Sequence, residues 1–154
     1  MQLYYDKIIE GVIKMNVRSF QLSDYKSITV LLQEVLTEDC YEQTMEAFAR
    51  QLSWDSDLVL VAVENSEVVG IVIGTIDNNK GYYYRIAVSP FYQRKGIGKS
   101  LIQALRIRFE QRNVTKILIT ADEHNEPVLP LYESMGYAAT DFFRSFNKLS
   151  IVAG

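Results

Sequence analysis

The chain is poor in the residues that build cross-links and metal centres. Cys40 is its one cysteine and His124 its one histidine, so no disulfide can close within it. A zinc site and a cysteine–histidine nucleophile pair are both disfavoured, and a reducing compartment fits. Long apolar runs are missing too: no stretch approaches the roughly 20 residues that cross a bilayer. The first residues lack the charged start and continuous apolar run of a signal peptide. The expectation is a cytoplasmic protein without metal or membrane association. Excess charge is also small, with net charge −3 and pI ≈ 5.2, which leaves no electrostatic footprint for wrapping nucleic acid.

What is present suffices for one domain. At 154 residues and 48% hydrophobic the chain can bury a sizeable core but has no room for a second one, and it shows no repeat, low-complexity segment or linker. Ile28, Leu31, Leu32, Val35 and Leu36 recur at helical spacing after Ser23-Asp24, which predicts a capped first helix. Met45, Phe48, Ala49 and Leu52 predict a second over 41–52. Residues 58–64 and 67–76 read as strands joined at Asn65-Ser66, and the second turns at 77–81 into a strand over 82–88, an antiparallel meander. Leu101, Ile102, Leu105 and Phe109 mark one side of a helix over 96–112. Residues 115–121 form a short apolar strand, and strand–helix–strand at this length makes a parallel crossover with 82–88. A helix ending near Met135-Gly136, a strand beginning at Tyr137 and a last strand over 144–152 close the chain. Residues 1–14 stand apart: Leu3, Ile8, Ile9, Val12 and Ile13 line one side of a short helix that Gly11 interrupts.

The chemistry concentrates in the loop between the strand over 82–88 and the helix after it, Ser89-Pro90-Phe91-Tyr92-Gln93-Arg94-Lys95-Gly96-Ile97-Gly98-Lys99-Ser100. A helix start leaves backbone N–H groups unpaired and carries about half a positive charge, which a phosphate satisfies. Gly96 and Gly98 let the backbone approach such a ligand, and Arg94, Lys95 and Lys99 add charge. A nucleotide-binding P-loop would need a glycine at Gln93, and a dinucleotide fingerprint a glycine at Leu101. On the residues alone, a phosphate cradle and a glycine-bearing turn with solvated charges both stand.

Two motifs in order carry a resemblance. Gln93-Arg94-Lys95-Gly96-Ile97-Gly98, directly after Ile86-Ala87-Val88-Ser89-Pro90, resembles the Gln/Arg-x-x-Gly-x-Gly/Ala loop of the GNAT superfamily of acetyl-CoA-dependent N-acetyltransferases. Asn125-Glu126-Pro127 with Leu131-Tyr132-Glu133-Ser134-Met135-Gly136-Tyr137 resembles that family's second element. The resemblance spans roughly residues 15–150, so residues 1–14 read as an extension and 15–154 as the domain. It implies a single α/β (α+β) domain: a mixed, mostly antiparallel sheet of six or seven strands, splayed between the fourth and fifth, with helices on both faces.

It also implies acetyl transfer from acetyl-CoA to a primary amine by direct attack. The pantetheine arm would bond the backbone of Ile86, Ala87 and Val88 as an added strand, and the pyrophosphate would sit on Gln93, Arg94, Lys95, Gly96, Ile97, Gly98, Lys99 and Ser100. Asn125 would bond the pantetheine or cap its helix. Tyr132 falls at the family's tyrosine position and would protonate the leaving thiolate, with the Val88 N–H polarising the thioester carbonyl. The resemblance would place Tyr41, Phe48 or Trp54 near the acceptor, although packing on the sheet is the better reading for any one of them.

Two departures limit the match. Members acting on protein α-amines often place a glutamate where Thr120 stands, so no base is assigned. Asp122, Glu123, His124 and Glu126 cluster nearby and read as a solvated acidic loop. Pro130 would start the last helix late or distort its first turn. The acceptor, small molecule or protein, is not named by the sequence, and a homodimer stays open. The rival readings are a non-catalytic acyl-CoA-binding regulatory module and a P-loop-like nucleotide binder.

Overall fold

The computed structural model of the chain describes residues 15–143. The predicted extension over 1–14 and the predicted last strand over 144–152 lie outside the described residues. A six-stranded sheet runs in sequence order: β1 (Met15–Ser19), β2 (Val59–Glu64), β3 (Glu67–Asp77), β4 (Lys80–Val88), β5 (Lys116–Thr120) and β6 (Phe142–Phe143). The first three pairings are antiparallel, and β4–β5 and β5–β6 are parallel. Two tight hairpins make the meander. Asn65-Ser66 and Asn78-Asn79 all have positive φ, as the two-residue turn that matches strand twist requires.

The helices are α1 (Tyr25–Val35), α2 (Glu38–Asp55), α3 (Ile97–Gln111) and α4 (Leu129–Ser134). They cover both faces. Leu101, Ile102, Leu105 and Phe109 of α3 pack with Leu60, Val72, Tyr83 and Ile119 on one side, and Ile28, Leu31, Leu32, Ala47 and Phe48 of α1 and α2 pack with Val61, Ile71, Tyr84 and Ala87 on the other. Each fully buried Leu or Ile contributes about 1.5–3 kcal/mol, so the alternation along β3 and β4 fixes which face each helix takes. Among the described residues no helix is long and apolar enough to cross a membrane.

Three expectations need correction. The second helix starts at Glu38, not 41, because Thr37 accepts the Cys40 N–H at 3.3 Å as an N-cap and Glu38 and Asp39 sit in the favourable first turn. Asp24 does not cap α1 with its side chain: its carboxylate takes Arg18 at 2.8 and 3.0 Å and the Gln21 N–H at 2.8 Å. No strand begins at Tyr137. Its hydroxyl is held by Arg106 at 3.0 Å and by Tyr83 at 3.0 Å, the chain then makes a short 3-10 turn, and β6 follows at Phe142.

Candidate active site

The site is built by β4 leaving its neighbour. Pairing of β4 with β5 stops at Tyr83–Ile119, although β4 runs on to Val88, so the expected splay between the fourth and fifth strands is present. On the other edge a bulge skips Tyr84 between the Ile73–Arg85 and Gly74–Tyr83 pairs, re-aiming the strand as bulges beside sites do. Past the bulge the Ser89 N–H bonds Val69 on β3 at 2.8 Å. Strand alternation therefore turns the main-chain groups of Ile86 and Val88 to the open edge.

A cleft of about 730 Å³ occupies that opening. One wall is Ile86, Ala87 and Val88, the floor is Gln93, Arg94, Gly96, Ile97, Gly98 and Lys99, and the far wall is Pro127, Val128, Pro130 and Leu131. Val35 and Tyr92 also line it. Gly96 has φ +83° and Arg94 φ +66°, and together they turn the chain so that α3 begins with no side-chain cap. The first N–H groups of a 15-residue helix thus meet the cleft unpaired, the arrangement that binds anions.

Other predicted residues are placed differently. Lys95 does not line the cleft; its Nζ lies 4.0 Å from Glu64 Oε2 and 5.2 Å from the centre of the Tyr92 ring. Ser100 sits inside the first helical turn, its N–H on Gly96 O. Gln93 folds back to donate to Val88 O at 3.0 Å. Gly98 is needed for packing: a Cβ there would stand 2.9 Å from Leu131 Cδ2. Phe48 is fully buried, 5.3 Å from the Phe20 ring and 6.0 Å from Tyr25, so it is core rather than acceptor wall.

Asn125 is a wedge at the point where the strands part. Its side-chain amide donates to Tyr84 O at 2.9 Å on β4 and to Thr120 O at 2.6 Å on β5, and its Oδ1 accepts from Arg85 at 2.8 Å. Both amide hydrogens are thereby committed, and it makes no cap to its own helix. Arg85, 2% exposed, continues to Thr44 Oγ1 on α2 at 3.0 Å and to Asp122 at 3.2 Å. Burial, the largest single effect, works to lower the Arg85 pKa, but Asp122 together with Tyr84 and Cys40 outweighs it, and the pKa stands above its ordinary value. Asp122 also takes the His124 and Asn125 N–H groups, so it is not part of a solvated acidic loop. The one signal for Arg85 in the sequence is a charge in a run of apolar and aromatic neighbours. Thr120, at the family's glutamate position, is buried with its hydroxyl unpartnered among the described residues.

Tyr132 is fully buried against Tyr83 and Tyr137, ring centres 5.3 and 6.3 Å away. It does not line the cleft, though its neighbours Pro130 and Leu131 do. Burial pushes its hydroxyl well above the ordinary range, opposed by the Arg85 charge, so it carries its proton at neutral pH. Pro130 falls at the second position of α4, which starts one residue before it, at Leu129, after a 3-10 turn over Glu126–Val128; a missing N–H costs nothing there, because the first four N–H groups of a helix have no partner within it.

Residues 26–137 match the sequence profile described as the Acetyltransferase (GNAT) family. The chain belongs to the GNAT acetyltransferase family. It is 31% identical over 127 residues to the acetyltransferase ECA0875 of Pectobacterium atrosepticum, covering 82% of this chain and 90% of that one. In fold it is similar to the N-acetyltransferase PaiA of Thermoplasma acidophilum, solved with coenzyme A, at TM-score 0.67 and 19% identity over 81% of this chain and 90% of that one. The aminoglycoside N-acetyltransferase AAC(6')-Iy, also solved with CoA, gives TM-score 0.66 at 14% identity over 91% and 98%. This GNAT chain is accordingly an acetyl-CoA-dependent acetyltransferase.

Proposed function

We propose that the chain acetylates a primary amine by direct attack, with acetyl-CoA and acceptor bound together in the cleft between β4 and β5. The observation that carries this is the meeting of an open strand edge at Ile86 and Val88 with the uncapped start of α3 in one cleft. That pairing fits a long ligand with an amide-bearing arm and an anionic end. Acetyl-CoA supplies a thioester, an acyl group activated toward amines.

The chain's own residues then have distinct tasks. The N–H groups of Ile97, Gly98 and Lys99, with the Arg94 and Lys99 charges, hold the anionic end. Main-chain groups of Ile86 and Val88 bond the arm, and the Val88 N–H stabilises negative charge on the carbonyl oxygen. Tyr132 keeps a proton available for the departing sulphur, and Asn125 holds the opening at fixed width. No side chain is required as a base when the amine arrives neutral or passes its proton to water.

The test is thiol release from acetyl-CoA across a panel of monoamines, diamines, amino acids and peptides, beside a calorimetric CoA dissociation constant. Turnover with at least one primary amine is the expected result. Tight CoA binding with no turnover across the panel would instead favour the acyl-CoA-binding regulatory module.

A further inference from the structure

One polar cluster outside the cleft is unexplained by this reading. His124 has a side chain only 10% exposed, and its Nε2 is shut from solvent with no hydrogen-bond partner among the described residues. Two carboxylates face it without hydrogen-bond geometry: Asp39 Oδ2 at 3.4 Å and Glu123 Oε2 at 3.8 Å. An imidazole nitrogen buried and unpaired costs free energy unless something bridges it to its neighbours. The three ligand atoms lie within 4.8 Å of one another, and the two carboxylates, being mostly exposed, can swing aside to take a cation at the length of an ammonium hydrogen bond, about 2.8 Å.

The cluster's place in the fold says which cation. Val35 at the end of α1 lines the cleft, and Asp39 lies one short turn beyond it in the first turn of α2. Pro127 and Val128 line the opposite wall just after His124. His124 also precedes Asn125, which bonds Tyr84 O and Thr120 O where the strands part, so the cluster flanks the start of the opening, whereas the basic α3 loop follows Val88 at the other end of β4. Charge is segregated in the same sense. Residues 27–49 carry Glu34, Glu38, Asp39, Glu42 and Glu46 and no lysine or arginine. Asp122 is neutralised by Arg85, and Asp39 Oδ2 accepts only the uncharged Gln43 amide at 3.0 Å, so Asp39 and Glu123, with side chains 71% and 82% exposed, supply the unneutralised negative charge beside His124.

We propose that Asp39, Glu123 and His124 form an acceptor subsite for a second ammonium group, so that the preferred acceptor is a small organic polycation bearing at least two amines. This rests on the amine-acetylating reading above. One amine enters the cleft while the other is held by the two carboxylates, with His124 Nε2 as a further acceptor.

The experiment compares 1,5-diaminopentane with 1-aminopentane by steady-state kinetics, and measures binding of the same diamine to the CoA-loaded protein by calorimetry. Wild type should favour the diamine in kcat/KM by tenfold or more. In Asp39→Asn and Glu123→Gln, whose native side chains are exposed and outside the core, that ratio should fall about tenfold, chiefly through KM for the diamine, with CoA affinity unmoved. Should no amine turn over, the activity assignment fails by itself, and calorimetry still decides: diamine binding lost in both variants upholds the subsite. Equal preference for the two amines, or diamine binding unchanged in both variants, overturns it. So does stoichiometric Zn²⁺ binding abolished by His124→Ala with no diamine binding, which would make the cluster a divalent-cation site.

Discussion

Replacing Asn125 with alanine should destabilise the fold by about 3 kcal/mol. Its amide makes two neutral hydrogen bonds, to Tyr84 O and Thr120 O, and one to the charged Arg85. Neutral bonds contribute about 1 kcal/mol each and a bond to a charged group about 1.5–3 kcal/mol, a gross loss of roughly 3.5–5 kcal/mol. Water entering the freed space returns part of this, while Arg85 keeps Asp122 and Thr44. Against a total stability of about 5–15 kcal/mol the effect is readily measured by urea denaturation monitored by the circular dichroism of the helices. Asn125→Asp separates packing from hydrogen bonding. It preserves shape and strengthens the Arg85 contact, but sets a carboxylate oxygen against two carbonyl oxygens at distances now bridged by N–H donors. It should be no more stable than the alanine variant at neutral pH. A cost below about 1 kcal/mol for alanine, or an aspartate variant as stable as wild type, would refute the wedge.

Tyr132→Phe keeps the ring against Tyr83 and Tyr137 but removes a protonated hydroxyl. Turnover should fall about 10²–10⁴-fold with CoA affinity nearly unchanged, and a loss under threefold would assign the residue to packing. Gly98→Ala should weaken CoA binding through Leu131, whose Cδ2 a Cβ would crowd at 2.9 Å; adding Leu131→Ala should restore much of it, and no recovery would move the cause to the ligand side. Arg18 holds the Asp24 carboxyl below the usual range, despite the opposing effect of burial. The stability this contributes is present above about pH 4 and is lost as pH falls through the depressed value. The melting-temperature gap between wild type and Asp24→Asn should therefore be widest near pH 6 and close toward pH 2; a gap constant with pH would remove Asp24 from the acid response.

The loop from Ser89 to Ser100 could be read from the sequence because its cues are local. Two glycines, three cations and a switch from strand to helix period lie within twelve consecutive positions, and the turn at Asn65-Ser66 is equally local. The wedge could not be read, because Asn125 finds Tyr84 and Arg85 some 40 residues away. Arg85 is likewise unreadable locally, because its burial is met by partners from α2 and from the loop after β5. Phe48 shows the reverse: helical spacing puts it on an apolar side without saying whether that side meets core or ligand. Lys95 and Ser100 belonged to the motif, but a left-handed turn at Arg94 and Gly96 sends one toward Glu64 and the other into the helix.

A strand edge left open for a ligand is also open to another polypeptide, which makes it an aggregation hazard. Side chains blunt both ends of this one. Asn125 occupies Tyr84 O and Gln93 occupies Val88 O, and between those carbonyls lies about 13 Å of strand. An incoming strand of ordinary length needs about 17–20 Å. The gap is long enough for the proposed amide arm while denying a neighbouring chain a full row of pairing sites, so under that proposal selectivity for the ligand and resistance to edge-on association come from the same two side chains.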